Sequence, residues 1–328
     1  MFKNRPVGGQ APGLHQPKPE WIKVKAPGGQ TYLAIKQLLG DLNLATVCQE
    51  ARCPNIGECW REGTATFMLL GEVCTRGCRF CAVKTGNPKG QLDRDEPDKV
   101  GFAISQMKLK YVVLTSVDRD DLEDEGADHF ARTVEVIKSL APEMIVEVLT
   151  PDFHARPELV TRVVQAKPDV FGHNVETVKR LQRPVRDPRA SYQQSLDVLR
   201  LVKKIDPSCY TKSSLMLGLG EEKDELLQTL GDLRAIGCDV VTFGQYLRPQ
   251  PRHLKVQKFY TPQEFEYWKK LAEDMGFLYV ASGPLVRSSY RAGEFFIKGV
   301  IERNRNQKRN QTVNRERVLI NKHLSTME

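Results

Sequence analysis

Short apolar runs alternate with amphipathic segments through the middle of the chain. Six runs have the length and composition of buried strands, namely FMLLG (67–71), YVVLTSV (111–117), MIVEVLT (144–150), VFGHNVE (170–176), SLMLGLG (214–220) and VVTFGQYL (240–247). Helical patterns lie between them, near 98–109, 126–140, 156–166, 189–205 and 221–236. Strands that alternate with helices predict a parallel sheet. Six such units form either an open barrel or a doubly wound sheet, and periodicity leaves both open.

The segments that flank these units differ from them in composition. Residues 1–29 are rich in Pro and Gly and predict a flexible basic arm, and residues 30–66 predict an N-terminal extension with one helix and several cysteines. The strand–helix units predict a central domain at 67–260. In the C-terminal extension at 261–302, TPQEFEYWKKLAEDMG predicts a helix and FLYVASGPLV a strand-like run, and a basic tail follows at 303–328.

The net charge of +8 is concentrated in the two ends. Residues 1–29 hold five Lys or Arg against one Glu, and residues 303–328 hold seven against two acids, so the part between them is close to neutral. An RNA-binding module would carry its positive charge on the folded core, so we predict no nucleic-acid partner. No stretch approaches the ~20 apolar residues that span a bilayer. Without an apolar signal or an amphipathic transit segment, the sequence predicts a cytoplasmic protein with no membrane association.

Six of the eight cysteines lie within 34 residues and form two trios. The first trio is spaced C-x4-C-x5-C and the second C-x3-C-x2-C, and the members in order are Cys48, Cys53, Cys59, Cys74, Cys78 and Cys81. Thiolates suit zinc and iron–sulfur clusters, which normally take four of them. Three thiolates on a four-iron cube leave one iron open for a different ligand. A disulfide framework belongs to small secreted chains, and a zinc ribbon has paired C-x2-C knuckles that neither trio shows.

The second trio follows a predicted strand and has Phe80 before its last cysteine, and it resembles the cluster loop of the radical S-adenosylmethionine (SAM) enzymes. The first trio is similar to the auxiliary-cluster motif of lipoyl synthases, as are TSVDRDDL, HNVETV and GPLVRSSYRAGEFF. The resemblance covers roughly residues 30–300. It implies an incomplete parallel (β/α)6 barrel, with N-terminal and C-terminal extensions that cover its mouth. It also implies two 4Fe–4S clusters and SAM as cofactors.

The reaction is implied by the same resemblance. The cluster of the second trio reduces SAM, and the resulting 5′-deoxyadenosyl radical removes hydrogen from an octanoyl chain on a protein lysine. Sulfide from the cluster of the first trio captures the carbon radical, at carbons 6 and 8 in turn, and gives the lipoyl group. The implied partners are octanoylated lipoyl carrier domains of 2-oxoacid dehydrogenase complexes or glycine cleavage H protein, and an electron donor. Biotin synthase lacks a C-x4-C-x5-C auxiliary motif, and an electron carrier would close both clusters with four cysteines.

Polar residues at the ends of the predicted strands are candidates for binding SAM, because barrel enzymes place their sites on loops that follow the strands. Asn174, Glu176 and Arg186 are the leading candidates, and Thr115 is a further one. Each has an ordinary alternative. Asn174 can cap a helix, Glu176 can pair with a surface lysine, and Arg186 can be a solvated charge in a Pro-flanked loop.

The segment RSSY (287–290) resembles the lipoyl synthase motif whose serine binds the auxiliary cluster, and the family pattern points to Ser289. A hard alkoxide oxygen matches iron in a sulfide cube less well than a thiolate does, which suits a cluster that is dismantled in the reaction. The alternative is that Ser288 or Ser289 caps the final predicted helix.

Three further features are not assigned to the site. Cys209 and Cys238 lie outside both trios and suit buried packing positions. His173 is equally compatible with packing and with a substrate contact. The acidic run DRDDLEDEG (118–126) predicts the solvated start of a helix rather than a metal site.

Overall fold

An eight-stranded sheet carries the fold in the computed structural model, which describes residues 19–22, 30–42, 44–46, 55–61, 64–107, 109, 111–288, 299 and 301. The strands in spatial order are β1 (Ala45–Thr46), β2 (Thr64–Leu69), β5 (Tyr111–Ser116), β6 (Ile145–Leu149), β7 (Val170–Gly172), β8 (Tyr210–Leu217), β9 (Val240–Gln245) and β10 (Tyr279–Gly283). β1 is antiparallel to β2, and all other neighbours are parallel. A separate parallel ribbon pairs β3 (Val73–Cys74) with β4 (Lys84–Thr85).

The described residues also form nine α-helices, most of which follow a strand. They are α1 (Gln30–Asp41), α2 (Ile56–Arg61), α3 (Glu96–Met107), α4 (Ala127–Leu140), α5 (Pro157–Gln165), α6 (Gln182–Val185), α7 (Tyr192–Ile205), α8 (Lys223–Ala235) and α9 (Pro262–Asp274). Local chemistry sets several helix starts. Ser191 accepts a hydrogen bond at the start of α7, and Thr261 and Glu264 form a capping box before α9. In this part of the chain, no helix is long and apolar enough to cross a membrane.

The helices cover one face of the sheet. Alternate residues of β5 and β6, such as Val112 and Val146, belong to a core that includes residues of α3, α4, α5 and α7. The residues between them, such as Val113 and Ile145, cluster on the opposite face with Ile301. A doubly wound sheet carries helices on both faces, whereas α3, α4, α5 and α7 all pack on the same face, so the described part of the chain is consistent with a partial barrel. No pairing joins β10 to β1 or β2 among the described residues, so the sheet is open at this seam.

Polar side chains fill part of the face that the helices leave free, which we call the inner face. Lys212 Nζ lies 2.9 Å from both carboxylate oxygens of Glu147, and the Tyr111 hydroxyl donates to the same carboxylate at 2.5 Å. Thr242 donates to the Ser214 hydroxyl at 2.8 Å. β8 begins at Tyr210, four residues before the predicted run. The sequence did not show this start because Thr211, Lys212 and Ser213 are buried although they are polar.

The other predicted runs correspond to strands but differ from them in extent; β2, for example, begins at Thr64 rather than Phe67 and ends at Leu69. The strand predicted at 170–176 ends at Gly172, although Glu176 still forms an isolated parallel bridge with Leu215 of β8. Beyond the six predicted strands the sheet continues, since β10 pairs in parallel with β9. The carboxyl ends of seven parallel strands therefore meet at one edge, where the predicted site residues lie.

Candidate functional site

The second trio lies on the loop that leaves β2, which we call the cysteine loop (residues 70–83). Leu70 and Gly71 turn the chain out of β2 with φ of 69° and 87°. The β3–β4 ribbon then closes the loop, and the Thr75 amide donates to the Asp118 carbonyl beyond β5 at 3.0 Å. On its other side, the Arg79 amide donates to the Val185 carbonyl in α6 at 2.9 Å. Backbone contacts to two strand ends therefore hold the cysteine loop across the edge of the sheet.

Backbone amides point at the sulfur atoms of this trio. The amides of Arg76 and Asp118 both lie 3.4 Å from Cys74 Sγ, and the amide of Asp187 lies 3.3 Å from Cys78 Sγ. Donated N–H groups stabilise a negatively charged sulfur and help to set the reduction potential of a cluster bound to it. The arrangement suits thiolate ligands.

Without a metal, the protein disfavours the thiolate form of all three cysteines. Burial raises the pKa of Cys74 to about 12, and the Asp118 carboxylate adds to the rise. Burial also raises the pKa of Cys78 to about 12 and raises the pKa of Cys81. A coordinated metal reverses this preference, because its charge deprotonates the thiol. Three soft donors that are partly buried, two of them with N–H groups directed at the sulfur, therefore fit an iron–sulfur cluster.

Arg76 connects the cysteine loop to the strand ends. Its side chain is 2% exposed and forms ion pairs with Asp118 at 3.4 Å, Asp120 at 2.8 Å and Asp152 at 2.6 Å. Burial would raise the pKa of Asp152, but hydrogen bonds from Arg76 hold it below its ordinary value. The sequence contained only a weak signal for this network, the position of the acids just after two strands. Sequence reasoning did not identify Arg76 or Asp152.

The acidic run at 118–126 is not a solvated helix start, so that prediction was wrong. Asp120 pairs with Arg76, and Asp121 pairs with the buried Arg119 at 2.8 Å. Helix α4 begins only at Ala127. Asp120, Glu125 and His154 do come close enough together to hold a metal ion. Because Asp120 is already bound to Arg76, this group carries no metal assignment.

Three of the four predicted SAM-binding residues lie beside the cysteine loop. Glu176 accepts a hydrogen bond from Asn174 at 3.1 Å, and burial raises its pKa while Arg186 opposes that rise. The charge of Glu176 in turn contributes to the raised pKa of Cys81. The charge of Arg186 opposes the raised pKa of Cys78. Glu176 and Arg186 are therefore electrostatic neighbours of the trio, and Asn174 joins them through its hydrogen bond to Glu176.

Arg186 is buried and hydrogen-bonded within the protein, so it is not the solvated charge of the alternative. It donates to Gln182 at 3.2 Å and to the Ser195 hydroxyl at 2.7 Å, and that hydroxyl also contacts His173 Nε2 at 3.0 Å. His173 is thus held in the interior. Thr115 is also buried, and its hydroxyl donates to the Leu149 carbonyl at 2.9 Å.

Most of the first trio and the predicted serine ligand lie outside the described residues, namely Cys48, Cys53 and Ser289. Cys59 is described and is buried in α2. At the start of this helix, Asn55 donates a hydrogen bond to the Leu285 carbonyl at 2.7 Å, across 230 residues of sequence. The segment that carries Cys59 is therefore joined to the segment just before the RSSY motif.

Two family models match the chain. The model of the radical SAM superfamily matches residues 68–233, and that of the N-terminal domain of lipoyl synthase of the radical SAM family matches residues 9–53. A lipoyl synthase of Ectopseudomonas mendocina (strain ymp) is 55% identical over 88% of this chain and 82% of its own length. An apicoplast lipoyl synthase of Plasmodium yoelii yoelii is 54% identical over 91% of this chain, which spans 59% of that longer protein.

Solved structures support the same fold. The crystal structure of HydG, a maturase of the [FeFe]-hydrogenase, matches with a TM-score of 0.53 and 13% identity. The match covers 66% of this chain and 50% of that chain. At this identity the similarity concerns the fold alone.

Proposed function

This chain belongs to the lipoyl synthase family of the radical SAM superfamily, and from that premise we propose that it inserts two sulfur atoms at carbons 6 and 8 of a protein-bound octanoyl group. The observation that supports this proposal is the position of the second trio. Its three thiols are partly buried at the carboxyl edge of a parallel sheet, and backbone amides are directed at two of their sulfurs. Cys74, Cys78 and Cys81 would hold a 4Fe–4S cluster, which would supply the electron that reduces the SAM sulfonium.

The chain's own residues orient SAM and exclude water. We assign Glu176 and Asn174 to the polar groups of SAM. Both side chains are partly exposed, the charge of Glu176 acts on Cys81, and Asn174 donates a hydrogen bond to Glu176. Arg186 acts as a fixed positive charge beside Cys78 and Glu176. Thr115 is proposed as a further SAM contact because it lies near the end of β5. A closed, dry site is required, since a primary alkyl radical attacks whatever lies nearest.

The first trio, Cys48, Cys53 and Cys59, is proposed to hold the auxiliary cluster that donates sulfur, with Ser289 as its fourth ligand. The hydrogen bond from Asn55 to Leu285 supports this arrangement, because it joins the two segments that would supply the ligands. The soft donor set of three thiolates fits the cluster, and the weaker oxygen ligand fits its release of sulfide.

The finer architecture is proposed in the same terms. We interpret the open sheet as an incomplete (β/α)6 barrel over residues 67–260, with extensions at 30–66 and 261–302 that cover its mouth. Within the predicted arm at 1–29, Glu20–Ile22 form a 3-10 turn in which Ile22 is buried, so these three residues are not part of a flexible arm. The proposed partners are octanoylated lipoyl carrier domains and an electron donor. A cytoplasmic location stays a prediction, since the names of the relatives include an apicoplast enzyme.

The test uses cysteine variants after anaerobic reconstitution. Replacing all three cysteines of the second trio with Ala should leave about half of the iron and abolish 5′-deoxyadenosine formation. Replacing the first trio should preserve 5′-deoxyadenosine formation and abolish sulfur insertion. The matched control is Cys209→Ala with Cys238→Ala, which removes two buried thiols outside both trios and should leave the iron content unchanged. Formation of 5′-deoxyadenosine by the second-trio variant would contradict the assignment.

The sulfur source is tested separately. An auxiliary cluster built with isotopically labelled sulfide should give labelled lipoyl product in a single turnover on an octanoylated peptide. Unlabelled product from a labelled enzyme would show that the sulfur comes from elsewhere.

A further inference from the structure

A group of basic side chains lies beside the cysteine loop and has no part in the proposed chemistry. We call it the basic rim, and its members are Arg79, Arg183, Arg248, Arg252 and Lys255. Four of them are exposed and Arg248 is half-buried. The core as a whole is close to neutral, so this local concentration of positive charge requires an explanation of its own.

Backbone contacts bring the rim together from three distant parts of the sequence. The Arg79 guanidinium donates to the Pro184 carbonyl at 3.1 Å, which places the cysteine loop against α6 and next to Arg183. The Leu254 amide lies 3.4 Å from the Arg79 carbonyl, so the segment after β9 also reaches this loop.

The segment that carries Arg248, Arg252 and Lys255 is fixed to the cysteine loop by a buried histidine. His253 Nε2 lies 2.9 Å from the carbonyl oxygen of Cys81, and Arg248 Nε donates to the His253 carbonyl at 3.0 Å. The rim therefore stands directly against the backbone of a predicted cluster ligand.

The positive charges of the rim are not neutralised within the protein. Among the described residues, no carboxylate oxygen lies within 4.0 Å of a charged nitrogen of the five side chains. By contrast, Arg76 on the cysteine loop and Arg189 just beyond α6 both pair with carboxylates. Unpaired like charges held close together produce a positive field, which attracts an acidic surface and accelerates its association.

We propose that the basic rim is the docking surface for an acidic one-electron carrier protein that reduces the cluster of the second trio. The proposal rests on the proposed function, which requires one electron for each SAM cleaved. The donor protein is oxidised by one electron, the cluster is reduced by one, and no atom is transferred. Electron transfer slows steeply with distance, and the segment that carries three of the rim residues contacts the Cys81 carbonyl through His253. Redox complexes are typically small and charge-steered, as this surface would require.

The rim adjoins the second trio rather than the first. Its residues lie on the cysteine loop, on α6 and on the segment after β9. Cys59 of the first trio lies on α2, and Asn55 at the start of that helix donates to the Leu285 carbonyl. A protein seated on the rim is therefore placed to reduce the cluster of the second trio, and turnover with an octanoylated carrier domain tests whether the carrier uses the same surface.

The experiment reverses rim charges in the cluster-loaded full-length protein, with Arg183→Glu, Arg252→Glu and Lys255→Glu combined. Two quantities are measured at low and high salt: binding of oxidised flavodoxin, an acidic probe, by calorimetry, and reduction of the cluster by reduced flavodoxin in a stopped-flow spectrometer. We expect binding and reduction to weaken about tenfold or more at low salt and to approach the parent values at high salt.

The matched control makes the same charge change away from the rim, with Lys36→Glu, Lys204→Glu and Lys270→Glu. The three lysines are exposed and lie on α1, α7 and α9. This variant should keep most of the parent's flavodoxin binding and reduction rate. An equal loss in both variants would mean that only total charge matters, and would overturn the assignment of the surface.

A small reductant distinguishes this proposal from the proposed function. Reduced methyl viologen is a cation that needs no docking surface, so it should support 5′-deoxyadenosine and lipoyl formation equally in the rim variant and its parent. Failure of that reaction in the parent would contradict the proposed function. The docking surface would then be tested by flavodoxin binding alone. Parent-like flavodoxin binding by the rim variant would refute the proposal. So would a selective loss of turnover with an octanoylated carrier domain, which would assign the rim to the carrier.

Discussion

Replacing Arg76 should destabilise the protein more than any other single change in the cysteine loop. Its guanidinium compensates three carboxylates, and the side chains of Arg76 and Asp152 are 2% and 0% exposed. In Arg76→Met, a side chain of similar length occupies the space, but Asp152 and Asp120 lose their charged donor. Removing one partner of a buried ion pair costs about 3–5 kcal/mol, because the remaining charge has no water to solvate it. We expect a loss in that range.

The loss of stability in Arg76→Met should depend on pH in a characteristic way. Hydrogen bonds from Arg76 hold the pKa of Asp152 below its ordinary value, so the parent keeps this stabilisation at neutral pH and loses it only as the pH falls through that lowered pKa. In Arg76→Met, burial acts unopposed and the pKa of Asp152 rises. Protonation then relieves the buried charge, so the difference in stability between variant and parent should shrink as the pH is lowered from 7 to 5. Arg76→Lys keeps the positive charge but loses the planar guanidinium, so its stability should lie between those of the parent and Arg76→Met.

The matched control is Arg162→Met. Arg162 pairs with Asp128 at 2.8 Å and with Glu135 at 2.6 Å, distances equal to those of Arg76, but the arginine is 31% exposed and both acids are about half exposed. Exposed pairs contribute about 0–1 kcal/mol, because water solvates the charges that remain. Urea unfolding midpoints of the cluster-loaded proteins under argon, together with the iron retained, measure both variants. Equal losses from the two variants would refute the reasoning that burial decides the cost.

Three further predictions concern other parts of the chain. Burial and the Arg186 charge lower the pKa of His173 to about 4 from an ordinary 6.5, so the parent should lose stability as the pH falls from 6.5 to 4. In urea titrations, His173→Gln should reduce this dependence of stability on pH. An unchanged dependence would exclude His173 as its source. Ser289→Ala should impair sulfur insertion but not SAM cleavage, whereas Ser288→Ala should mainly cost about 1 kcal/mol if it removes a helix cap; the reverse result would show that Ser288 is the ligand. Deleting 303–328 should weaken the salt dependence of turnover on acidic carrier domains without affecting a short octanoylated peptide, and unchanged salt dependence would leave the tail without a role.

The sequence by itself was enough for the features that depend on local spacing. The two cysteine trios are read directly from the chain, because ligands on one short loop must lie close together whatever the rest of the fold. The alternation of apolar runs and amphipathic helices predicted the parallel sheet, since burial on both faces of a parallel strand requires continuous apolar residues. Even so, the start of β8 was placed too late, because its buried polar residues are satisfied only by partners on other strands, such as Glu147.

Only the tertiary structure decided which distant residues meet at the sheet edge. Arg76 binds acids that are 44 and 76 residues away, and His253 reaches the Cys81 carbonyl across 172 residues. Such contacts follow from strand order and register, which bring the ends of all the parallel strands to one edge. The packing of α3, α4, α5 and α7 on one face likewise favours a partial barrel over the doubly wound alternative, a choice that periodicity left open. A charged residue looks the same in sequence whether it is solvated or buried, and only its through-space partners determine which of the two it is.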